Sequence, residues 1–192
     1  MSKPTLLLHL CCGPCGAHIS EELKADYQVS LFFANSNIDT AEEFAKRLAA
    51  AQTLAEYHGL PLVVDDYNHA EWLALVKGWE DESSFAKAMA DEPEKGERCR
   101  LCYRYRLLKT VDKCAELGGD YFATSLSVSP YKDGEAVVLI GRSLSPKFLE
   151  RNFSQNNGWQ KSIAAAKSLK LYRQNYCGCE FSKRQGKEAF VN

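Results

Sequence analysis

The sequence contains no hydrophobic stretch long enough to span a bilayer, and no signal-peptide cleavage pattern follows its N-terminus. These two absences favour a cytoplasmic protein with no membrane partner. A glycine-rich phosphate-binding loop is also missing, which argues against the use of ATP. There is no internal repeat and no low-complexity tail. The 192 residues, 45% of them hydrophobic, are therefore expected to form a single domain over 1–192.

Cysteine, by contrast, is abundant, and seven of the eight cysteines fall into three tight clusters. In a cytoplasmic protein thiols stay reduced, so metal binding or catalysis is favoured over disulfides, for which adjacent thiols are also strained partners. Four thiolates suit a structural zinc ion or a 4Fe–4S cluster. Seven are too many for one zinc ion, so we expect two centres, or one centre with redox-active thiols beside it. The clustered residues are Cys11, Cys12, Cys15, Cys99, Cys102, Cys177 and Cys179. The eighth, Cys114, is interpreted as a core residue.

Four short apolar runs, at 5–10, 29–34, 62–64 and 121–124, have no helical period and predict strands. Helical patterns separate or follow them, at about 100–117, 134–144 and 161–169. A broken helix is predicted over 69–97, with Trp72, Leu75, Val76 and Trp79 on one face. This alternation predicts an α/β fold in three layers, a parallel sheet with helices on both faces.

Ligands of parallel α/β sheets bind beyond the carboxyl ends of the strands. The first cysteine cluster follows the first predicted strand, and Asp65 and Asp66 follow the third. We therefore expect these side chains at the same edge of the sheet, with all three cysteine clusters converging on one site. Asp66 or Asp65 is the candidate carboxylate to complete a metal site or to act as an acid, and ordinary solvation of the loop is the alternative.

The net charge of −1 hides an asymmetry between the two halves of the chain. Residues 1–97 carry 7 Lys and Arg against 17 Asp and Glu, whereas residues 98–192 carry 17 against 8. A basic half can attract a phosphate-rich partner, or the two halves can attract each other within one fold. Arginine binds phosphate and aromatic rings stack on bases. The candidate nucleic-acid contacts are Arg98, Arg100, Tyr103, Arg104, Tyr172, Arg173 and Gln174.

Five motifs in order, from about residue 5 to residue 182, resemble the QueH-type epoxyqueuosine reductases. They are LHLCCGPC at 8–15, FFANSNI at 32–38, RCRLCY at 98–103, TSLSVSP at 124–130 and YRQNYCGC at 172–179. Two segments depart from the family. The loop at 35–37 has Asn-Ser-Asn where relatives usually have Asn-Pro-Asn, and 154–159 is less basic than in many relatives.

The resemblance implies a two-electron removal of the epoxide oxygen of epoxyqueuosine at the wobble position of a tRNA, giving queuosine. It also implies a HUP or PP-loop-like fold, of the adenine nucleotide alpha hydrolase-like type, with a cysteine-rich C-terminal extension. The implied cofactors are a 4Fe–4S cluster and an adjacent mononuclear iron or other divalent metal. The implied partners are the tRNA anticodon stem-loop and an external electron donor.

Within that family we expect Cys99, Cys102 and some of Cys11, Cys12 and Cys15 to hold the cluster. Cys177 or Cys179 is then expected to help to hold the iron. Two other classes of function are open. One is a zinc-stapled RNA-binding module without catalysis, for which three of the thiols would be surplus. The other is a thiol-based sulfur-transfer enzyme acting on tRNA, which would usually need the missing ATP loop.

Overall fold

The computed structural model describes residues 2–78 and 96–183, and in these residues four strands form one parallel sheet. The strands are β1 (Thr5–His9), β2 (Gln28–Phe33), β3 (Leu62–Val64) and β4 (Tyr121–Thr124), in the order β3-β2-β1-β4. All four match the predicted strands to within one residue at each end. The predicted α/β class with a parallel sheet is confirmed.

Six helices accompany the sheet in the described residues: α1 (Gly13–Lys24), α2 (Ala41–His58), α3 (His69–Gly78), α4 (Glu97–Glu116), α5 (Gly134–Leu144) and α6 (Gly158–Ser168). Local chemistry sets several of their ends. The Thr40 hydroxyl caps α2, and Gly59 ends it in the left-handed conformation, with φ of 62°. In the described residues no helix combines the length and the apolar character that a membrane crossing requires.

Successive side chains of each strand point to opposite faces, and each face is covered by different helices. Leu8 shares a core cluster with Ile19 of α1 and Leu54 of α2. The neighbouring Leu7 shares another cluster with Leu107 of α4. The helices therefore flank the sheet on both sides, and the loops that leave the carboxyl ends of the strands meet at one edge.

Two predictions about single residues have different outcomes. Cys114 is confirmed as a core residue, since it lies in α4 and is 1% exposed. On α3, Trp72 and Val76 are each 1% exposed, but Leu75 is 43% exposed. The prediction that Leu75 shares their buried face is wrong, because Leu75 lies at the solvent-exposed edge of that face, about 100° around the helix axis from Val76. Trp79 lies outside the described residues.

Candidate metal centre

Three thiols converge where β1 ends and α1 begins. Cys11 and Cys12 follow β1, and Cys15 lies in the first turn of α1. Their three Sγ atoms lie within 4.8 Å of one another, and all three residues are buried. We call them the cysteine triad. Since thiolates are soft ligands that select zinc, copper(I) or iron–sulfur centres, this cluster can bind such a metal.

Hydrogen bonds from neighbouring strand ends fix the backbone of the triad. The Cys11 amide donates to the Ser125 hydroxyl just beyond β4, at 3.0 Å. The Asn35 side-chain amide, just beyond β2, donates to the Leu10 carbonyl at 2.9 Å. Arg106 of α4, which is 2% exposed, donates in turn to the Asn35 side-chain oxygen. The triad is therefore held by both strands that flank β1.

The three thiols of the triad differ in acidity. Hydrogen bonds from the Cys12 and Cys15 thiols lower the pKa of Cys11 well below its usual value. Burial raises the pKa of Cys12 to about 12, and the hydrogen bond to Cys11 raises the pKa of Cys15. Two of the three thiols therefore keep their protons at neutral pH. A metal that binds all three as thiolates must release two protons, so that its affinity increases with pH.

The other four clustered cysteines line a second cavity of about 340 Å³, which we call the four-cysteine cavity. Cys99 and Cys102 come from the first turns of α4, and Cys177 and Cys179 come from the C-terminal loop. Burial raises the pKa of Cys102 to about 11 and the pKa of Cys179 to about 12. These two thiols thus stay protonated until a metal ion replaces the proton.

The C-terminal loop is held in place by Arg47 of α2. Its guanidinium donates to the Cys177 carbonyl at 2.8 Å and to the Tyr176 carbonyl at 3.3 Å, and it pairs with Glu43 at 2.7 Å. Gly178 has a φ of 140°, and a Cβ there would lie 3.1 Å from the Arg47 Nη1 atom. The glycine therefore lets the loop approach α2 closely, with a cysteine on either side of it.

A larger cavity, of about 540 Å³, opens beside the triad, and we call it the open cavity. Cys12, Cys15 and Cys177 lie in its wall, so that Cys177 borders both cavities. Its other lining residues are Pro14, Ser129, Tyr131, Lys132, Trp159, Ile163, Arg173, Gln174 and Tyr176.

Two polar groups of the open cavity are chemically distinctive. Burial opposes the charge of Lys132, but electrostatic attraction to the nearby cysteine sulfurs, above all those of Cys177 and Cys11, outweighs it and raises the pKa of Lys132 well above its usual value. The side-chain oxygen of Gln174 is buried and has no hydrogen-bond partner among the described residues. The cavity thus presents two basic side chains, Lys132 and Arg173, and one unsatisfied acceptor.

The two predicted carboxylates lie at the end of β3, but neither lines the open cavity or the four-cysteine cavity. Asp65 faces Lys109 of α4 at 4.0 Å, and burial raises the pKa of Asp65. The backbone carbonyl of Asp66 accepts a hydrogen bond from Ser36 at 3.3 Å. Their role in catalysis stays a prediction.

The predicted nucleic-acid contacts are spread over different environments. Arg173 and Gln174 line the open cavity, whereas Arg98 and the buried Tyr103 line the four-cysteine cavity. Arg100 and Arg104 are exposed on α4, and the Tyr172 hydroxyl, on the surface, donates to Glu43 at 2.8 Å.

Sequence reasoning missed Lys132, Trp159 and the buried Arg47, and it grouped Arg106 with the exposed arginines of α4 although Arg106 is buried. For Lys132 a signal was present, because it follows β4 in a loop that leaves the ligand-binding edge of the sheet. Arg47 resembled an exposed helical arginine, since its neighbours at 42, 43 and 46 are all charged. Only the fold shows that, among the four charged side chains at 42, 43, 46 and 47, that of Arg47 is 1% exposed.

A parallel α/β sheet that presents buried thiols at its ligand edge defines the class, an α/β protein whose cysteine triad can bind a soft metal. The family model described as "Epoxyqueuosine reductase QueH" matches residues 6–185. Relatives named "Epoxyqueuosine reductase QueH" include those of Streptococcus pyogenes serotype M1, at 35% identity over 96% of this chain and 72% of the relative, and of Thermotoga maritima, at 30% over 96% and 93%. The Staphylococcus aureus relative is 28% identical over 95% of this chain and 77% of its own length. The chain belongs to the QueH family of epoxyqueuosine reductases, which are oxidoreductases.

Proposed function

We propose that this protein reduces epoxyqueuosine at the wobble position of a tRNA to queuosine. The reaction consumes two electrons and two protons, breaks both bonds of the epoxide oxygen to carbon, and releases that oxygen as water while the alkene forms. The observation that carries the proposal is the buried cysteine triad, two members of which line an open cavity, in a chain of the QueH family.

We further propose that the clustered thiols hold a 4Fe–4S cluster and a mononuclear iron or other divalent metal. The donor set fits, because the triad offers three converging thiols and the four-cysteine cavity offers four. Cys99 and Cys102 are the proposed cluster ligands, together with members of the triad or of the C-terminal pair. Cys177 borders both cavities, so its thiol could serve as a ligand at either centre. When bound, these groups would supply the electrons and a Lewis acid.

The open cavity is the proposed binding site for the modified base. The indole of Trp159 and the ring of Tyr131 meet edge to face, with their centroids 5.9 Å apart, and provide an aromatic wall. Stacking of a base on such a side chain contributes about 1–3 kcal/mol. The unsatisfied oxygen of Gln174 would accept a hydrogen bond from an N–H or O–H group of the base or its substituent. Binding in this cavity would place the substrate next to Cys12, Cys15 and Cys177.

Protons for the departing oxygen must come from groups near the cavity. Lys132 is one candidate donor, because it lines the open cavity in which the substrate is proposed to bind. Asp65 and Asp66 are retained as proposed acids or metal ligands on the strength of their position at the end of β3. A Lys132→Met variant separates these alternatives, since it removes the ammonium group and leaves both carboxylates in place.

The arginine and tyrosine residues predicted from the sequence are proposed to receive the anticodon stem-loop. Arg100 and Arg104 are exposed on α4, and Arg173 lies at the open cavity. Each phosphate contact makes the affinity for RNA depend on salt. We expect binding of the tRNA to weaken as the salt concentration rises, and an affinity that does not change with salt would contradict this assignment.

The fold is further proposed to be of the HUP or PP-loop-like type, with a cysteine-rich C-terminal extension. The loop between β1 and α1, where related enzymes carry their pyrophosphate loop, here carries the triad. The external electron donor, and a cytoplasmic location without a membrane partner, belong to the same proposal.

The test is anaerobic purification followed by iron and sulfide analysis, an absorption spectrum, and reduction of epoxyqueuosine-containing tRNA with dithionite as the electron donor. The nucleosides are then quantified by mass spectrometry. We expect a Cys15→Ala variant to lose iron and activity. A Cys114→Ala variant, altered at a core cysteine outside all clusters, should keep both.

A colourless protein with one zinc ion that binds tRNA without reducing it would contradict the proposal and indicate the zinc-stapled RNA-binding module. Transfer of sulfur to tRNA would indicate the sulfur-transfer enzyme.

A further inference from the structure

Trp72 of α3 carries a buried hydrogen-bond donor without an acceptor. The residue is 1% exposed, and its indole nitrogen makes no hydrogen bond of normal geometry with any described residue. Leaving such a donor unpaired costs about 1–3 kcal/mol, and buried donors without partners are rare in native proteins. Two aromatic neighbours hold the ring in place. Its centroid lies 5.4 Å from that of His69, on which it stacks, and 6.4 Å from that of Phe181.

The same indole lies in the wall of the four-cysteine cavity, beside Cys102. Trp72, Val76 and Cys102 form one apolar cluster, and Cys102 is 7% exposed. Burial raises the pKa of Cys102 to about 11, and the indole N–H acts in the opposite direction by favouring the thiolate. A thiolate sulfur bound to a metal is the acceptor that this donor lacks, because it carries negative charge and has no hydrogen of its own.

We propose that the Trp72 Nε1–H donates a hydrogen bond to the metal-bound sulfur of Cys102 and thereby raises the reduction potential of the iron–sulfur centre. This inference rests on the proposed function, because it requires the iron–sulfur centre at Cys102. Trp72 is then a positioning and tuning residue that acts through its sulfur ligand without touching the substrate.

The direction of the effect follows from charge. When the oxidised centre takes up one electron, the negative charge on its sulfurs increases, and no bond to the protein forms or breaks. A fixed N–H dipole aimed at the sulfur stabilises the reduced centre more than the oxidised one. Because Cys102 is only 7% exposed, water does not readily replace a hydrogen bond lost from its sulfur, so the effect on the potential should be measurable.

The experiment compares the unaltered protein with Trp72→Phe, in which an aromatic ring still fills most of the space between His69 and Phe181. The iron-loaded proteins are titrated with dithionite in the presence of redox mediators. We expect the equilibrium constant for reduction of the centre to fall about tenfold, which is about 59 mV for a one-electron couple. Electron–nuclear double resonance of the reduced centre in H₂O and in D₂O should show an exchangeable proton that is lost in the variant.

Val76→Ala is the matched control, because Val76 belongs to the same cluster and is equally buried but has no N–H on its side chain. It should leave both the potential and the exchangeable proton unchanged. If Trp72→Phe fails to bind iron, a tryptophan analogue is placed at position 72 in which benzothiophene replaces the indole. The analogue keeps the bicyclic shape and has sulfur in place of the N–H group. An unchanged potential and a retained proton in a variant that lacks the N–H would overturn the inference. An unaltered protein that binds no iron or leaves the epoxide intact would instead refute the proposed function.

Discussion

Replacement of Arg47 by methionine is expected to destabilise the protein by about 3–5 kcal/mol, the usual cost of removing one partner of a buried ion pair. Methionine fills much of the space of the arginine stem but carries no charge. The Arg47 side chain is 1% exposed and that of Glu43 is 11% exposed, and the two lie 2.7 Å apart. The variant therefore leaves the Glu43 carboxylate in a largely dry site and also removes two hydrogen bonds from the C-terminal loop.

The neighbouring pair on α2 provides the control. Lys46 and Glu42 have the same spacing of four residues and the same distance of 2.7 Å, but their side chains are 50% and 79% exposed. Lys46→Met should change the stability hardly at all, because water screens the exposed pair. A double variant, Glu43→Gln with Arg47→Met, should recover part of the loss, since the unpaired negative charge is then gone.

The measurement is urea unfolding of the metal-free proteins, followed by circular dichroism and linear extrapolation to water. A second measurement is the iron content after anaerobic reconstitution, which should fall for Arg47→Met because the loop that carries Cys177 and Cys179 loses its support. The reasoning would be refuted if Arg47→Met were no less stable than Lys46→Met. It would also be refuted if the double variant were less stable than Arg47→Met.

Three further predictions concern single residues. Gly178→Ala should reduce the iron content, because a Cβ there would lie 3.0 Å from the Asn37 side-chain nitrogen, and reconstitution followed by iron analysis would show it. Burial alone would raise the pKa of Asp39, but hydrogen bonds led by that from Lys183 lower it. The carboxylate thus contributes its full stability above its usual pKa of 3.8. An Asp39→Asn variant should be less stable at pH 7 and should approach the parent only as pH falls below 3.8 and through the lowered pKa of Asp39, as urea unfolding at a series of pH values would show. Cys114→Ala should lower the stability by about 1 kcal/mol in the same assay and leave the iron content unchanged, and a loss of iron would contradict its place in the core.

Short-range sequence patterns correctly predicted individual strands and helices. The apolar run at 121–124 became β4, and the helical period at 134–144 matched α5 at both ends, where Asp133 caps the first turn. The ligand edge followed from the parallel α/β class, and this placed the first cysteine cluster correctly at the end of β1. Each of these inferences needs only neighbours in the sequence and a general rule about sheets.

The division of the site between two cavities could not be predicted in the same way. Whether Cys177 faces the triad or Cys102 depends on how the C-terminal loop crosses α2, and that path is set by the buried Arg47. Tyr103 shows the same limit, because a tyrosine among arginines is typical of an exposed nucleic-acid contact, yet here it is 3% exposed. Contacts between segments that lie more than a hundred residues apart leave no periodic signal in either segment.

Cys177 stands in the wall of the open cavity and in that of the four-cysteine cavity. A ligand that shifts this one residue changes the free energy of both sites, and such coupling must act equally in each direction. If binding of the substrate in the open cavity increases the affinity for the metal, then loss of the metal must decrease the affinity for the substrate by the same factor. A protein stripped of iron should then release its RNA more readily, so that a damaged copy would not block the tRNA from an intact one.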